Sequence, residues 1–347
     1  MTRRAALGSV AVGLLGTVLA LAVALSGKAQ TVSRVPFVIA TGPTGGTYFP
    51  IGEAIAGIIS HPPGVYRCER TGVCGPSGLI ASARTSPGAM FNVLAVNART
   101  VDAALAQSDV VAEGVSGHGA FRKAGRQEHV RVIAALFPED VNIVAAKTAH
   151  VRSVTDLRGK RVGIGPDTSG TVVTARAVLS AYRLPIGRLR INNDPSDIAA
   201  EKVAKGKLDA MFFVGGAPVP LVRELLASGS ATLIPIEGAK RVHLLKIAKG
   251  LKADSIPAGL YPNTGKIETV SVQAMWIVHD SIPDSTVYSL AKALFNPANH
   301  GALTGSHRSA QFIRLDSATA VLPAPLHPGA ARFYSQMGAL PKKSAAK

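Results

Sequence analysis

Three short glycine-bearing stretches, two of them with hydroxyl side chains, suit capture of a small polar ligand. They are Thr41-Gly42-Pro43-Thr44-Gly45-Gly46-Thr47-Tyr48, the run from Gly165 to Thr171, and Gly215-Gly216-Ala217-Pro218. Glycine lets a backbone come close to a bound molecule. Thr44, Thr47, Thr168, Ser169 and Thr171 supply hydroxyls, and Tyr48 supplies an aromatic wall. A helix starting at each corner would present unpaired N–H groups and the positive end of its dipole, which favour an anionic group. One exposed helix end contributes only about 0.3–1 kcal/mol, so several must converge. A single corner of this kind is as readily a turn that ends a strand; three in one chain favour a ligand site.

Other chemistries are poorly supported. A phosphate loop of the form GxxxxGK[ST] would need a lysine before Thr47, and none is there. Gly163-x-Gly165 is followed by Thr168 where a dinucleotide fingerprint needs a third glycine. Gly75-Pro76-Ser77-Gly78 and Gly114-Val115-Ser116-Gly117 both miss the nucleophile elbow GxSxG. There is no HExxH, and His118, His129, His279 and His327 read as surface or satisfied core residues. The expectation is a non-enzyme with no cofactor and no metal. Cys68 and Cys74 are too few for a zinc site and are expected to form a structural disulfide in an oxidising compartment.

The corners need strands before them and helices after them. Val35–Ala40 reads as a buried strand, followed by a helix with Ile51, Ile55, Ile58 and Ile59 on one face. Arg161–Ile164 reads as a strand, Gly165–Gly170 as a loop and Thr171–Tyr182 as a helix with Val173 and Ala177 inward. The design recurs at Asp209–Val214 and Val219–Leu226. Asp284 is placed to cap a helix burying Val287, Leu290, Ala291 and Leu294. Alternation from Val270 to Val278 predicts a half-exposed strand. Strands alternating with helices predict an α/β fold with mostly parallel pairing.

The 347 residues carry 38 Lys+Arg against 21 Asp+Glu, with 47% hydrophobic and 17% charged residues, which excludes a disordered chain. Residues 1–29 read as a secretory signal: Arg3 and Arg4, an uncharged run from Ala5 to Leu25, and small residues before a cut after Ala29. The run is long enough to span a bilayer, so an uncleaved anchor stays open. The tail after Pro341 is expected to be loose. From 238 to 347 there are 13 basic and 5 acidic residues, so the positive excess lies mostly there. The proposed cleft loops hold only Arg84, Asp109 and Asp167 as charged residues. No basic helix with interleaved aromatics argues for nucleic acid. The excess reads as a solvated basic face, or as attraction to an anionic membrane or an acidic permease.

An ordered set of motifs resembles the TAXI family of extracytoplasmic solute receptors, the binding subunits of TRAP transporters. It comprises Thr41–Pro50, Gln107-Ser108-Asp109-Val110, Ser153–Val162, Asp209–Pro218, Ile256–Pro262 and Pro325–Ala330, and it covers Val35 to Tyr334. The resemblance implies a type II periplasmic-binding-protein-like fold: two lobes with mixed, mostly parallel sheets and a ligand cleft between them. The chain would cross near Pro138–Ile143 and near Pro235–Gly238. That makes residues 30–139 and 238–347 a discontinuous lobe I and residues 140–237 lobe II. It further implies a monomeric periplasmic receptor that captures a small organic acid or amino acid, glutamate-like in some relatives. The lobes would close on it and deliver it to an ion-gradient-driven TRAP membrane permease. A soluble sensor feeding a membrane signalling partner is the other function class left open.

By position, the resemblance implies ligand contacts from Thr44, Gly46, Thr47, Tyr48, Thr85, Ser86, Gln107, Ser108 and Asp109 in the first lobe. The second lobe would add Thr168, Ser169, Gly170, Thr171, Phe213, Val214 and Gly215. Backbone N–H groups and hydroxyls would hold a carboxylate. Gln107 would pair a second polar group or face solvent, and Asp109 would receive a ligand amine or serve at a helix end. Many relatives have a Gly-Ser pair in the loop before Asn92. Here Ala89 stands where that serine would be, and Pro87 removes an N–H donor. The ligand is therefore expected to differ from the usual one or to bind more weakly. Ala89→Ser should alter the ligand profile in a binding panel, and an unchanged profile would count against this expectation.

Overall fold

In the computed structural model, which describes residues 33–340, the apolar runs become strands and the period-3.6 stretches become helices. The expected signal or anchor and the expected loose tail lie outside the described residues. No helix among the described residues is long and apolar enough to cross a membrane.

The first half holds β1 (Val35–Ala40), α1 (Tyr48–Ile59), β2 (Leu79–Arg84), α2 (Ala89–Asn97), β3 (Ala103–Gln107), α3 (Ser108–Ser116) and the long β4 (Val130–Ala146). Next come β5 (Arg161–Gly163), α4 (Gly170–Ala181), β6 (Arg190–Asn192), α5 (Ser196–Ala204), β7 (Ala210–Gly215) and α6 (Pro220–Ala227). The chain continues through β8 (Ala231–Ile234), α7 (Gly238–Ile247), β9 (Lys252–Ile256), β10 (Ile267–His279), α8 (Asp284–Leu294), α9 (His300–Ser306) and α10 (Pro328–Gln336).

Local chemistry explains several boundaries. In α1 the four isoleucines are all buried, each contributing about 1.5–3 kcal/mol. Ser169 caps α4, its Oγ accepting from the Val172 N–H at 3.2 Å. Proline opens α6 and α10, where its missing N–H costs nothing. Two local expectations shift. The buried stripe of α4 is Val172, Ala175, Val178 and Leu179, with Val173 and Ala177 packed at its margin. Pro283 occupies the cap position of α8, so Asp284 acts in the first turn through the dipole and makes no capping bond.

The ten strands among the described residues join one sheet, ordered β2-β1-β3-β10-β4-β7-β5-β6, with β8 added on β4 and β9 on β10. The trio β2-β1-β3 is parallel, as is β7-β5-β6. Between them β10 and β4 run antiparallel to their neighbours. The two trios are the cores of two lobes, and β4 and β10 are the strands that cross. β10 is buried on both sides almost throughout, not half-exposed. Its alternation is real, but it lies between β3 and β4 with apolar clusters on both faces.

The core divides accordingly. Phe37, Ile51, Phe137 and Trp276 belong to a cluster on one face of the first lobe, and Val93, Val132 and Met275 to one on the other. The second lobe's cluster begins at Val141 and includes Leu244, Leu251, Ile256, Tyr261, Val270 and Val272. β4 therefore passes from one core to the other between Phe137 and Val141. The return falls in β10 between Val272 and Ala274. Residues 238–272, expected in lobe I, pack into the second core, because α7 lies on α4 and β9 pairs with β10.

Cys68 and Cys74 are joined in a disulfide with Cα atoms 5.2 Å apart. For so short a ring, loop-closure entropy suggests about 2 kcal/mol. The Asn299 side chain ties the same loop to the first lobe by donating to the Val73 carbonyl at 2.7 Å.

Candidate ligand-binding cleft

The carboxyl ends of β1, β3, β5 and β7 face one another across the two lobes. The segments that follow them enclose a cavity of about 60 Å³. Gly46, Thr47, Tyr48 and Gln107 line it from the first lobe, and Ser169, Gly170, Thr171, Phe213, Val214 and Gly215 from the second. These residues, far apart in sequence, meet because the strand ends face one another and the first turns of α1, α2 and α4 point inward.

The other expected contacts lie elsewhere. Thr85, Ser86 and Thr168 line an outer groove of about 490 Å³, which shares Pro43, Pro87, Pro166 and Ser196 with the inner cavity and so forms its mouth. Thr44 is exposed at the tip of its turn. Ser108 is buried, and its Oγ accepts from the Gln273 N–H at 3.2 Å. The Asp109 carboxylate accepts from Thr174 Oγ1 at 3.1 Å and from the Val110 N–H at 2.8 Å. Asp109 thus bridges the lobes beside the cavity instead of lining it. Arg84 and Asp167 are exposed and outside the cavity wall.

The charged residue in the wall is Glu139, which the corner motifs do not reveal. Its side chain is buried, and Tyr48 Oη donates to its Oε2 at 2.6 Å. Pro138 pairs with Gln273 next to a register shift in the β4–β10 ladder, the kind of irregularity at which a proline is tolerated. There Glu139 enters the cleft between the two cores. Burial pushes the Glu139 carboxyl well above its usual range, reinforced by Asp109 and Asp140 and opposed by the Tyr48 bond. Burial also raises Tyr48, with Glu139 adding to the effect. Burial lifts Asp109 to about 6 and Asp140 to about 7, where Asp254 assists. The sequence signal was present: Pro138-Glu139-Asp140 interrupts an otherwise largely apolar run. No Lys or Arg lines the cavity among the described residues.

Gln107 is 3% exposed, and its Nε2 has no hydrogen-bond partner among the described residues. A buried amide without a partner costs about 1–3 kcal/mol, so an acceptor in the cavity would be strongly favoured at this atom.

The lobes are held against each other by backbone and hydroxyl bonds. The Leu221 N–H donates to the Gly45 carbonyl at 3.1 Å, and the Phe91 N–H to the Thr168 carbonyl at 2.9 Å. Three successive carbonyls of the β7 corner accept from the first lobe: Gly216 from Thr47 Oγ1 at 2.9 Å, Ala217 from Ser309 Oγ at 3.1 Å, and Pro218 from the His307 ring at 3.1 Å. Only glycine fits at 216, since a Cβ there would lie 2.5 Å from Ser309 Oγ.

Away from the cleft, His129, His279 and Asp280 bring three possible metal ligands within 4.8 Å. The two rings stack with centroids 5.1 Å apart and planes 18° apart, whereas an ion shared by two imidazoles lies near both ring planes. Ser281 N–H already donates to His279 Nδ1, and Arg131 pairs with Asp280 at 3.1 Å. The cluster is matched to itself and poorly arranged for an ion.

Two lobes crossed by two strands, with a cavity at the facing strand ends, define the type II periplasmic-binding-protein fold. Solved structures agree on the fold. A binding protein component of an ABC phosphonate transporter from Pseudomonas aeruginosa is similar with a TM-score of 0.52, at 12% identity over 80% of each chain. MatC from Rhodopseudomonas palustris with bound malate has a TM-score of 0.52 at 12% identity, over 87% of this chain and 97% of that one. The chain belongs to the NMT1-like family, whose model matches residues 39–338.

Proposed function

We propose that this protein is a periplasmic solute-binding receptor, not an enzyme, that closes its lobes over a small amino acid or organic acid. The observation that carries this is the interlobe cavity, whose wall joins an orphaned Gln107 amide and a buried Glu139 carboxyl to inward-facing helix starts. A ligand carboxylate is held by N–H groups at the starts of α1 and α4 and by Gln107 Nε2. A ligand amine or hydroxyl is placed at Glu139, the role that position along the chain suggested for Asp109. The ten expected contacts that line the cavity surround these groups. Thr85, Ser86 and Thr168 act at the mouth.

The delivery partner is a TRAP-type, ion-gradient-driven permease. The ordered motifs from Thr41 to Ala330 support that partner. A neighbouring histidine kinase gene in place of a permease gene would favour a sensor.

A thermal-shift screen of amino acids and small organic acids on the chain from Gln30 tests the receptor reading. A true ligand at 100 times its Kd stabilises the fold by about 2.7 kcal/mol. If no member of either class raises the melting temperature, the reading fails.

A further inference from the structure

We propose that the outer face of α4 and α7 in the second lobe docks on an anionic phospholipid bilayer. The two helices lie side by side and antiparallel. The Tyr182 hydroxyl, just past the end of α4, accepts from the Glu237 N–H at 3.2 Å where α7 begins. At the other end, Thr174 reaches Asp109, and a Cβ on Gly250, just past α7, would lie 3.9 Å from the Asp109 Cβ.

The outward surfaces of this pair share one chemistry. Arg176 and Ser180 are exposed on α4 at i and i+4, so they share a face, and Arg183 is exposed two residues past the helix end. Arg176, Ser180 and Arg183 border a shallow hollow of about 440 Å³, large enough for a phosphate headgroup. On and after α7, Lys246, Lys249 and Lys252 are exposed, and neither helix contains an acidic residue. Arg241 is excluded from the face by its pairing with Glu268.

Among these cations two aliphatic side chains stand out into solvent, Val242 at 53% and Ile247 at 48% exposure. Lysines are hydrated point charges suited to a diffuse field rather than to forked recognition of single carboxylates. Cations surrounding protruding aliphatic groups match an interface in which lysines meet headgroups and apolar tips enter the acyl boundary.

Vesicle sedimentation with the chain from Gln30 tests this. The described cores draw on no residue before Phe37, and the apolar run Ala5–Leu25 is removed from the measurement. The protein should sediment with vesicles of phosphatidylcholine containing phosphatidylglycerol, release as salt is raised, and ignore pure phosphatidylcholine. Lys246→Glu with Lys249→Glu should weaken partition by at least about 25-fold, since each lysine near the surface is worth about 5-fold. The same charge change on the first lobe, Arg122→Glu with Lys123→Glu, should cost clearly less. All four positions are exposed, so melting temperatures should stay unchanged. Ile247→Trp should show a blue-shifted emission on the anionic vesicles against the constant signal of buried Trp276. Equal losses in the two double variants, equal binding to neutral vesicles, no binding to anionic ones, or no emission shift would each overturn the proposal.

Discussion

Replacing Gly170 with alanine should cost roughly 5- to 150-fold in ligand affinity while leaving the unliganded protein as stable as before. Gly170 opens α4 in the second lobe and faces Gln107 of the first. A Cβ there would lie 1.4 Å from Gln107 Oε1 and 3.0 Å from the Ala89 Cβ. Gln107 is buried at 3% exposure, so it yields only if the cleft opens or its amide leaves the cavity. Overpacking of this kind costs about 1–3 kcal/mol, which sets the range of affinity loss. It falls on the closed state alone, where the two lobes meet. In an open state alanine is the better helix former. Calorimetric titration with a ligand from the thermal-shift screen measures the loss, and small-angle scattering measures compaction on binding. Full affinity with undiminished compaction in Gly170→Ala would show that the lobes do not need to meet at this point.

The second large effect concerns pH. Burial, with Asp254 next, holds the Asp140 carboxyl at about 7 against an ordinary 3.8. The folded state therefore keeps a proton that the unfolded chain releases. Between pH 4 and 7 the folded form binds more protons, so Asp140's contribution to stability falls as pH rises through that window and is spent above it. The interval corresponds to roughly 4 kcal/mol as a limit. Asparagine mimics the protonated acid and can still accept from the Ala217 N–H. Asp140→Asn should therefore match the wild type near pH 4 and exceed it in stability near pH 8. Urea unfolding at the two pH values checks this. A difference independent of pH would mean that Asp140 is ionised in the folded protein throughout.

Glu139 and Asp140 also show where reading by sequence stopped. The glycine corners were legible because each lies at a strand end, and turn chemistry there is local. Ten of the expected contacts do reach one cavity. Glu139 was hidden because it lies inside a strand, at the point where β4 leaves one core for the other. Its residue type matches an ordinary solvent-facing carboxylate, and only the largely apolar run around Pro138-Glu139-Asp140 marks it locally. Asp109 shows the converse. The resemblance leaves Asp109 as a ligand contact or a helix-end residue; it lies in the first turn of α3, where Thr174, 65 residues away, donates to its carboxylate.

The sequence by itself determined the alternation of strand and helix, the buried isoleucine face of α1, the disulfide partners and the three corners that bind or turn. All of these follow from periodicity and from the conformational needs of a few residues. Only the tertiary structure decided which strands are central, where the chain returns between lobes, and which acid stands in the cavity wall. Those depend on pairing between strands such as β3 and β10, more than 150 residues apart in the chain. Alternation in β10 looked half-exposed because a strand's pattern records its own two faces and says nothing about what comes to cover them.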